Sequence, residues 1–254
     1  MHIPSIIALI VSLAFAATSS ASPVLEKRIV GGEPGQEGEL PFIAQFVSRF
    51  SPCTGFLIGP QTIMTAAHCL RNRSRTGIIV GGTVYKVGNS TEVAEYVPHP
   101  QYNGTLNVND IGLVFLSKKA NGPFAQIGSK YPEANSKIMA AGFGYIDTRG
   151  TETDVLRKVR LNVGGTQTCK AYKANFQKKT QFCTTDTPLG HAVCGGDSGG
   201  PLYTGSGEKL RVVGIVSHGV GENMCGVKGA YQYYTFIKPY LSWVKAEIKQ
   251  FEKN

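Results

Sequence analysis

Beyond residue 17 the sequence has no apolar run approaching the roughly 20 residues that a membrane-spanning helix requires. Its 31 glycines follow no Gly-X-Y period, which excludes a collagen-like rod. None of the six cysteines stands in a C-x-x-C pair, so the usual signature of a structural zinc site is missing. Between Leu70 and Glu92 there is no carboxylate, and therefore no set of hard oxygen ligands for calcium. The basic residues, Arg71, Arg73, Lys118 and Lys178 among them, are scattered without interleaved aromatics and match no nucleic-acid-binding motif. No internal repeat or low-complexity linker divides the chain.

What is present suffices for one compact unit. Apolar residues make up 42% of 254, ample for a core, and all-β barrels of this length occur as single domains. The net charge of +9 reads as a solvated basic surface rather than a polyanion site. The N-terminus stands apart. Residues 3–17 form an apolar stretch followed by small residues, with a cleavage site expected near Ala21, which is the pattern of a secretory signal peptide over 1–21. Residues 22–28 then read as a short pro-segment ending in Lys27-Arg28. The remaining body, 29–254, carries +8.

Along that body short apolar runs are punctuated by Gly, Pro, Asn and Ser. Residues 42–47, 55–58, 78–80, 93–97, 111–116, 137–141, 156–163 and 210–216 are predicted strands by length and β-branched content. Their spacing of about 10 to 20 residues suits an all-β barrel or sandwich, because βαβ units need helical patterns between strands. A helix is predicted at the end, where Ile237, Leu241, Val244, Ile248 and Phe251 form an apolar stripe and Pro239 falls in the first turn. His99 is expected to be exposed. Six cysteines in a secreted chain imply disulfides, but they allow 15 connectivities and spacing does not choose among them.

Chemistry concentrates in three places. In Thr65-Ala66-Ala67-His68-Cys69 a histidine sits among small residues at a strand end, a pattern that alone suits a structural imidazole as well as a catalytic one. In Asn109-Asp110-Ile111-Gly112 an acid opens a very apolar strand, and a buried carboxylate needs a partner. It reads as a strand-end turn acid or as the group that fixes an imidazole's tautomer. The third, Cys194-Gly195-Gly196-Asp197-Ser198-Gly199-Gly200-Pro201, is the strongest. Glycines let the chain bend tightly enough for the Gly196 and Ser198 amides to converge on one point, the requirement for stabilising an oxyanion. Gly196-x-Ser198-x-Gly200 also fits the nucleophile elbow of α/β-hydrolases. Those enzymes run Ser, acid, His and subtilisins run Asp, His, Ser, whereas this chain runs His68, Asp110, Ser198. A strand-like Leu202-Tyr203 also follows the serine where an elbow needs a helix.

With Ile29-Val30-Gly31-Gly32 and the C-terminal helix added, these motifs resemble the trypsin/chymotrypsin family of serine proteases over essentially the whole of 29–254. The resemblance implies two six-stranded antiparallel β-barrels packed side by side, about 29–127 and 128–254, with a C-terminal α-helix. It implies disulfides Cys53–Cys69, Cys169–Cys183 and Cys194–Cys225, and a catalytic triad of His68, Asp110 and Ser198. Gly196 and Ser198 would form the oxyanion hole, and Ser217 would support Asp110. Cleavage after Arg28 would free the Ile29 ammonium to pair with Asp197, so that the enzyme is made as a zymogen.

Specificity follows from the same alignment of motifs. Ala192, six residues before the serine, occupies the pocket base where trypsin-like members carry Asp, so no carboxylate awaits Lys or Arg. Gly219 and Gly229 leave the pocket walls open, and Val193 narrows it beside the base. Cleavage after large apolar residues, chymotrypsin-like, is the expectation, and Glu222 in the following loop is the residue that would instead favour a basic side chain. His218 stands where most members carry Trp. The alternatives are a trypsin-like or other preference, or a protease-like binding protein without catalysis. The resemblance calls for no cofactor and no metal; its partners are protein or peptide substrates and proteinaceous protease inhibitors, with no nucleic acid or membrane, for a secreted monomer. Asn72, Asn89 and Asn103 open N-glycosylation sequons.

Overall fold

The computed structural model describes residues 32–48, 52–71, 77–147, 149–185, 191–220, 225 and 231–253. The expected signal peptide, pro-segment and Ile29 lie outside these residues, as do Asn72, Glu222 and Gly229. In chain order the elements are β1 (Glu33–Pro34), β2 (Ile43–Val47), β3 (Cys53–Gly59), β4 (Thr62–Thr65), β5 (Gly77–Val80), β6 (Asn89–Thr91), β7 (Val93–Pro98) and β8 (Gly112–Leu116). Then follow β9 (Lys137–Gly142), β10 (Arg157–Asn162), α1 (Thr166–Tyr172), β11 (Gln181–Thr184), β12 (Pro201–Thr204), β13 (Arg211–Val220), β14 (Tyr231–Phe236) and α2 (Leu241–Phe251).

They form two antiparallel sheets of seven strands, ordered β6-β5-β2-β3-β4-β8-β7 and β1-β10-β9-β12-β13-β14-β11. Each reduces to the expected six-stranded barrel. In the first sheet β6 pairs with β5 and β7 pairs with β8, and Glu92 alone separates β6 from β7, so one bent stretch of chain closes the ring. In the second, the Val163–Thr184 bridge joins the ends of β10 and β11, with Gly164 N–H donating to Cys183 O at 2.9 Å. Closure removes the open sheet edges through which such strands would otherwise pair with other chains.

The two barrels are linked through elements near both ends of the described residues. β1, near the start of the chain, adds to β10 of the second barrel. At the other end α2 docks on the first barrel, where Phe251 stacks on Phe115 with centroids 4.4 Å apart and Val244 is buried. Pro239 falls in the single 3-10 turn that precedes α2, where its missing N–H costs nothing. His99 is not exposed as expected but half-buried, packed edge-on against Tyr240 and Trp243 at centroid distances of 5.2 and 4.8 Å. Burial lowers its pKa. All three expected disulfides are present, closing separations of 16, 14 and 31 residues.

Candidate active site

Strand register brings His68 and Asp110 together. β4 and β8 run antiparallel with Thr65 opposite Gly112, so the residues just after β4 and just before β8 emerge at the same end of the first barrel. His68 lies there in a short 3-10 turn, Ala67–Leu70, held by the Cys53–Cys69 bond. Asp110 follows Asn109, whose φ of 54° turns the chain into β8. The two side chains meet with His68 Nδ1 2.8 Å from Asp110 Oδ2, while His68 N–H donates to Oδ1 at 2.9 Å. Ser217 O–H adds a third bond, to Oδ2 at 2.6 Å. Asp110 is 1% exposed. Burial works to raise its pKa, but the His68 and Ser217 hydrogen bonds and the attraction of the imidazole hold it below the ordinary carboxylate value. In a neutral imidazole, an Nδ1–H bond to this carboxylate selects the tautomer whose Nε2 is free to accept a proton.

The serine loop comes from the second barrel and is threaded through glycines. Gly196 and Gly199 have φ of 95° and 83°, in the left-handed region. Gly200 packs so closely that an added Cβ would stand 2.5 Å from Ala141 O. Only glycine fits there. The loop is tied to the first barrel through Thr54: its N–H donates to Ser198 O at 2.8 Å and its hydroxyl to Gly196 O at 2.9 Å. Two further bonds aim the amides of the loop. Tyr145 N–H donates to Gly195 O at 2.7 Å and Gly200 N–H to Asp197 O at 2.8 Å. In a trans peptide the N–H points opposite its carbonyl, so pinning these two oxygens orients the Gly196 and Ser198 N–H groups.

Asp197 itself is fully buried. Its Oδ1 accepts from Gly144 N–H and its Oδ2 from Cys194 N–H, both at 2.8 Å. Burial pushes its pKa up to about 7, against the opposing effect of those two bonds. Gly144 lies against the carboxylate, since an added Cβ there would stand 2.5 Å from Asp197 Cγ.

A cavity of about 480 Å³ opens between the barrels, lined by His68 and Ser198 together with Val193, His218, Gly219 and Asn107. Ser217 also reaches it. Ala192 is buried beside Val193 and does not line it. His218 is stacked on Tyr233, with centroids 5.2 Å apart and planes at 12°. Its Nε2 lies 3.0 Å from the Nζ of Lys173, a lysine 7% exposed that also donates to Asn107 O at 3.0 Å.

Residues 29–244 match the Trypsin family model. The chain belongs to the trypsin family of serine proteases. Trypsin-family relatives include rat (Rattus norvegicus) Granzyme B, 31% identical over 87% of this chain and 92% of the relative. Another is Trypsin eta of Drosophila erecta, 30% identical over 96% of this chain and 97% of the relative. A third is rat Granzyme-like protein 1, at 31% over 92% and 96%. The chain is accordingly a serine endopeptidase, a hydrolase acting on protein substrates.

Against this trypsin-family frame, the structure gathers His68, Ser198, Ser217, His218 and Gly219 around one cavity, buries Asp110 behind His68 and Ser217, and sets Gly196 and Asp197 in the loop beside it. Sequence reasoning missed Thr54, Lys173 and Asn107. Thr54 follows Cys53 as an ordinary strand residue. Lys173 is one lysine among many, and only its position just after the Cys169 helix sets it apart. The one described group of potential metal ligands, Cys53, His68 and Cys69, has both sulfurs committed to a disulfide.

Proposed function

We propose that the chain is a secreted serine endopeptidase that cleaves after large apolar residues by a His68–Asp110–Ser198 triad. The observation that carries this reading is the buried Asp110 carboxylate, bonded at 2.8 Å to His68 Nδ1, with His68 and Ser198 facing one cavity from different barrels. In the reaction, Ser198 Oγ attacks the peptide carbonyl while His68 Nε2 accepts its proton. The tetrahedral oxyanion is held by the Gly196 and Ser198 amides, whose orientation the pinned carbonyls support. His68 then delivers the proton to the leaving amine, giving an acyl-enzyme that water attacks by the same steps in reverse. Asp110 keeps the imidazole in the required tautomer and stabilises the transient imidazolium.

The preference for an apolar residue before the scissile bond rests on the sequence, where Ala192 takes the position at which trypsin-like members carry Asp, and on Val193 and Gly219, which line the cavity without a carboxylate. Gly229 is assigned to the same pocket from the sequence. The zymogen reading rests on Asp197, a fully buried carboxylate whose described partners are two backbone amides and which a free Ile29 ammonium would neutralise. The family match begins at residue 29, directly after Lys27-Arg28. Secretion, with a signal over 1–21, and glycan attachment at the exposed Asn89 and Asn103 or at Asn72 belong to the same reading. The test is a mature enzyme treated with a serine-directed phosphonate and a panel of chromogenic peptides. Labelling of Ser198, abolished in Ser198→Ala, with highest kcat/KM for Phe, Tyr, Leu or Met, is the expected result. A preference for Arg refutes the pocket assignment, and an unlabelled mature form refutes catalysis.

A further inference from the structure

A continuous line of polar contacts runs from Lys173 to the triad. Lys173 Nζ stands 3.0 Å from His218 Nε2, His218 Nδ1 stands 3.0 Å from Ser217 Oγ, and Ser217 Oγ stands 2.6 Å from Asp110 Oδ2. The last contact in the line is Asp110 Oδ2 to His68 Nδ1 at 2.8 Å. The direction of each bond follows from donor counting. An ammonium has donors only, so Lys173 must donate to Nε2. Nε2 as acceptor places the ring proton on Nδ1, which donates to the Ser217 oxygen. That frees the Ser217 hydroxyl hydrogen for the carboxylate.

Resting on the triad reading above, we propose that Lys173 and His218 are positioning residues that lock the Ser217 hydroxyl onto Asp110 and disfavour protonation of His68. The cation acts in two ways with one sign. Its charge repels an imidazolium at His68, and the polarised chain draws negative charge away from Asp110, weakening its support for that imidazolium. The ring of His218 serves the chain only if it stays neutral, and its surroundings keep it so. Burial, the Lys173 charge and the His68 ring lower its pKa to about 3, against the attraction of Asp110. Lys173 remains mostly charged at neutral pH, its pKa lowered by burial to about 8 with Asp110 opposing. The charged and titratable groups facing this pair are Tyr233 from β14, whose ring lies under both, and Asp110 and His68 from the first barrel. Lys173 also holds Asn107 O, so its loss loosens a loop as well as cutting the chain. A rate measurement at one pH does not separate these roles, but the pH profile does.

The test measures kcat/KM against pH for the mature enzyme and for Lys173→Met, Lys173→Arg, His218→Phe and the Lys173→Met/His218→Phe double variant. Active sites are counted by phosphonate labelling of Ser198. Lys173→Met is expected to move the acid limb upward by roughly half to one pH unit, the effect of a unit charge on the order of 10 Å away at an effective dielectric of about 20 to 40. Lys173→Arg is expected to return it toward the wild-type position. His218→Phe keeps a ring on Tyr233 while cutting the chain, and also moves the limb upward; it carries the test should Lys173→Met fail to fold. In the His218→Phe background the direct effect of the charge remains and the part carried by the chain is lost, so the lysine substitution is expected to shift the limb by measurably less. An acid limb unmoved in labelled Lys173→Met or His218→Phe overturns the inference. So does an equal lysine effect in both backgrounds, which leaves a through-space charge and no chain. Wild-type enzyme that takes no phosphonate overturns the triad reading itself, and the inference with it.

Discussion

Replacing Thr54 with Val tests whether the first barrel holds the serine loop in its working shape. The two side chains have nearly the same volume, so the change removes a hydroxyl without opening a cavity. Thr54 is fully buried, and its hydroxyl donates to Gly196 O at 2.9 Å while accepting from Phe143 N–H at 3.4 Å. The variant leaves Gly196 O buried without that donor, at a cost of about 1 to 3 kcal/mol. If all of it appeared in the barrier, kcat would fall about 5- to 140-fold, since roughly 1.4 kcal/mol is tenfold. The backbone bond from residue 54 to Ser198 O survives, so part of the constraint remains. A fall in kcat near tenfold is therefore expected, with KM changed less than about twofold because the hydroxyl bonds the loop from behind and does not line the cavity. Kinetics on a chromogenic peptide give both constants. Urea unfolding in a Ser198→Ala background, which prevents self-digestion, gives the stability loss. A stability loss of the expected size with unchanged kcat refutes the reasoning, because it shows a bond that holds the barrels together without shaping the loop.

Three further outcomes follow from the same geometry. In the uncleaved chain Asp197 titrates near 7, above the unfolded value near 3.8, so the native state binds the extra proton between those values. Stability should then fall by up to a few kcal/mol as pH rises from about 4 to 7 and level off above, and Asp197→Asn should flatten this dependence in urea melts at stepped pH. Arg28→Gln should leave the secreted chain unprocessed and inactive; full activity with an intact N-terminus, checked by N-terminal sequencing, would sink the zymogen assignment. Removing the Cys169–Cys183 bond by a double Ala substitution opens a separation of 14 residues and should cost about 3 kcal/mol in denaturant unfolding. Because that bond anchors the helix leading to Lys173, the same variant should show a larger KM than wild type.

How much of this was legible in the sequence depends on the range of the interaction that decides each feature. All eight predicted strands are found, because each is a short stretch with β-branched or aromatic residues set off by neighbouring turn residues. The predicted ranges leave out β6, a three-residue strand of polar residues, and also β4, β11 and β14. The last three, TIMT, QFCT and YQYYTF, mix Gln and Thr among apolar residues, and these polar groups are buried only because the barrel supplies partners. Thr65 O–H, for example, donates to Thr54 O at 2.8 Å, and Thr184 shares a hydrogen bond with Tyr234. β1 has two residues and no pattern, and exists only because β10 offers it an edge.

The candidate site divides in the same way. His68, Asp110 and Ser198 are readable because each sits in a short motif whose small residues or glycines are themselves required by the local backbone. The residues that hold those motifs in place are not readable. Thr54 acts on a loop 142 positions away, and Lys173 bridges Asn107 and His218 at separations of 66 and 45. No periodicity or spacing rule spans such distances. The substitution of His at position 218 was the one visible sign of the second group, since a histidine in a wall that otherwise takes Trp needs a polar partner on each nitrogen. Ser217 and Lys173 are those partners, and together they turn an isolated departure from the family pattern into a connected path ending on Asp110.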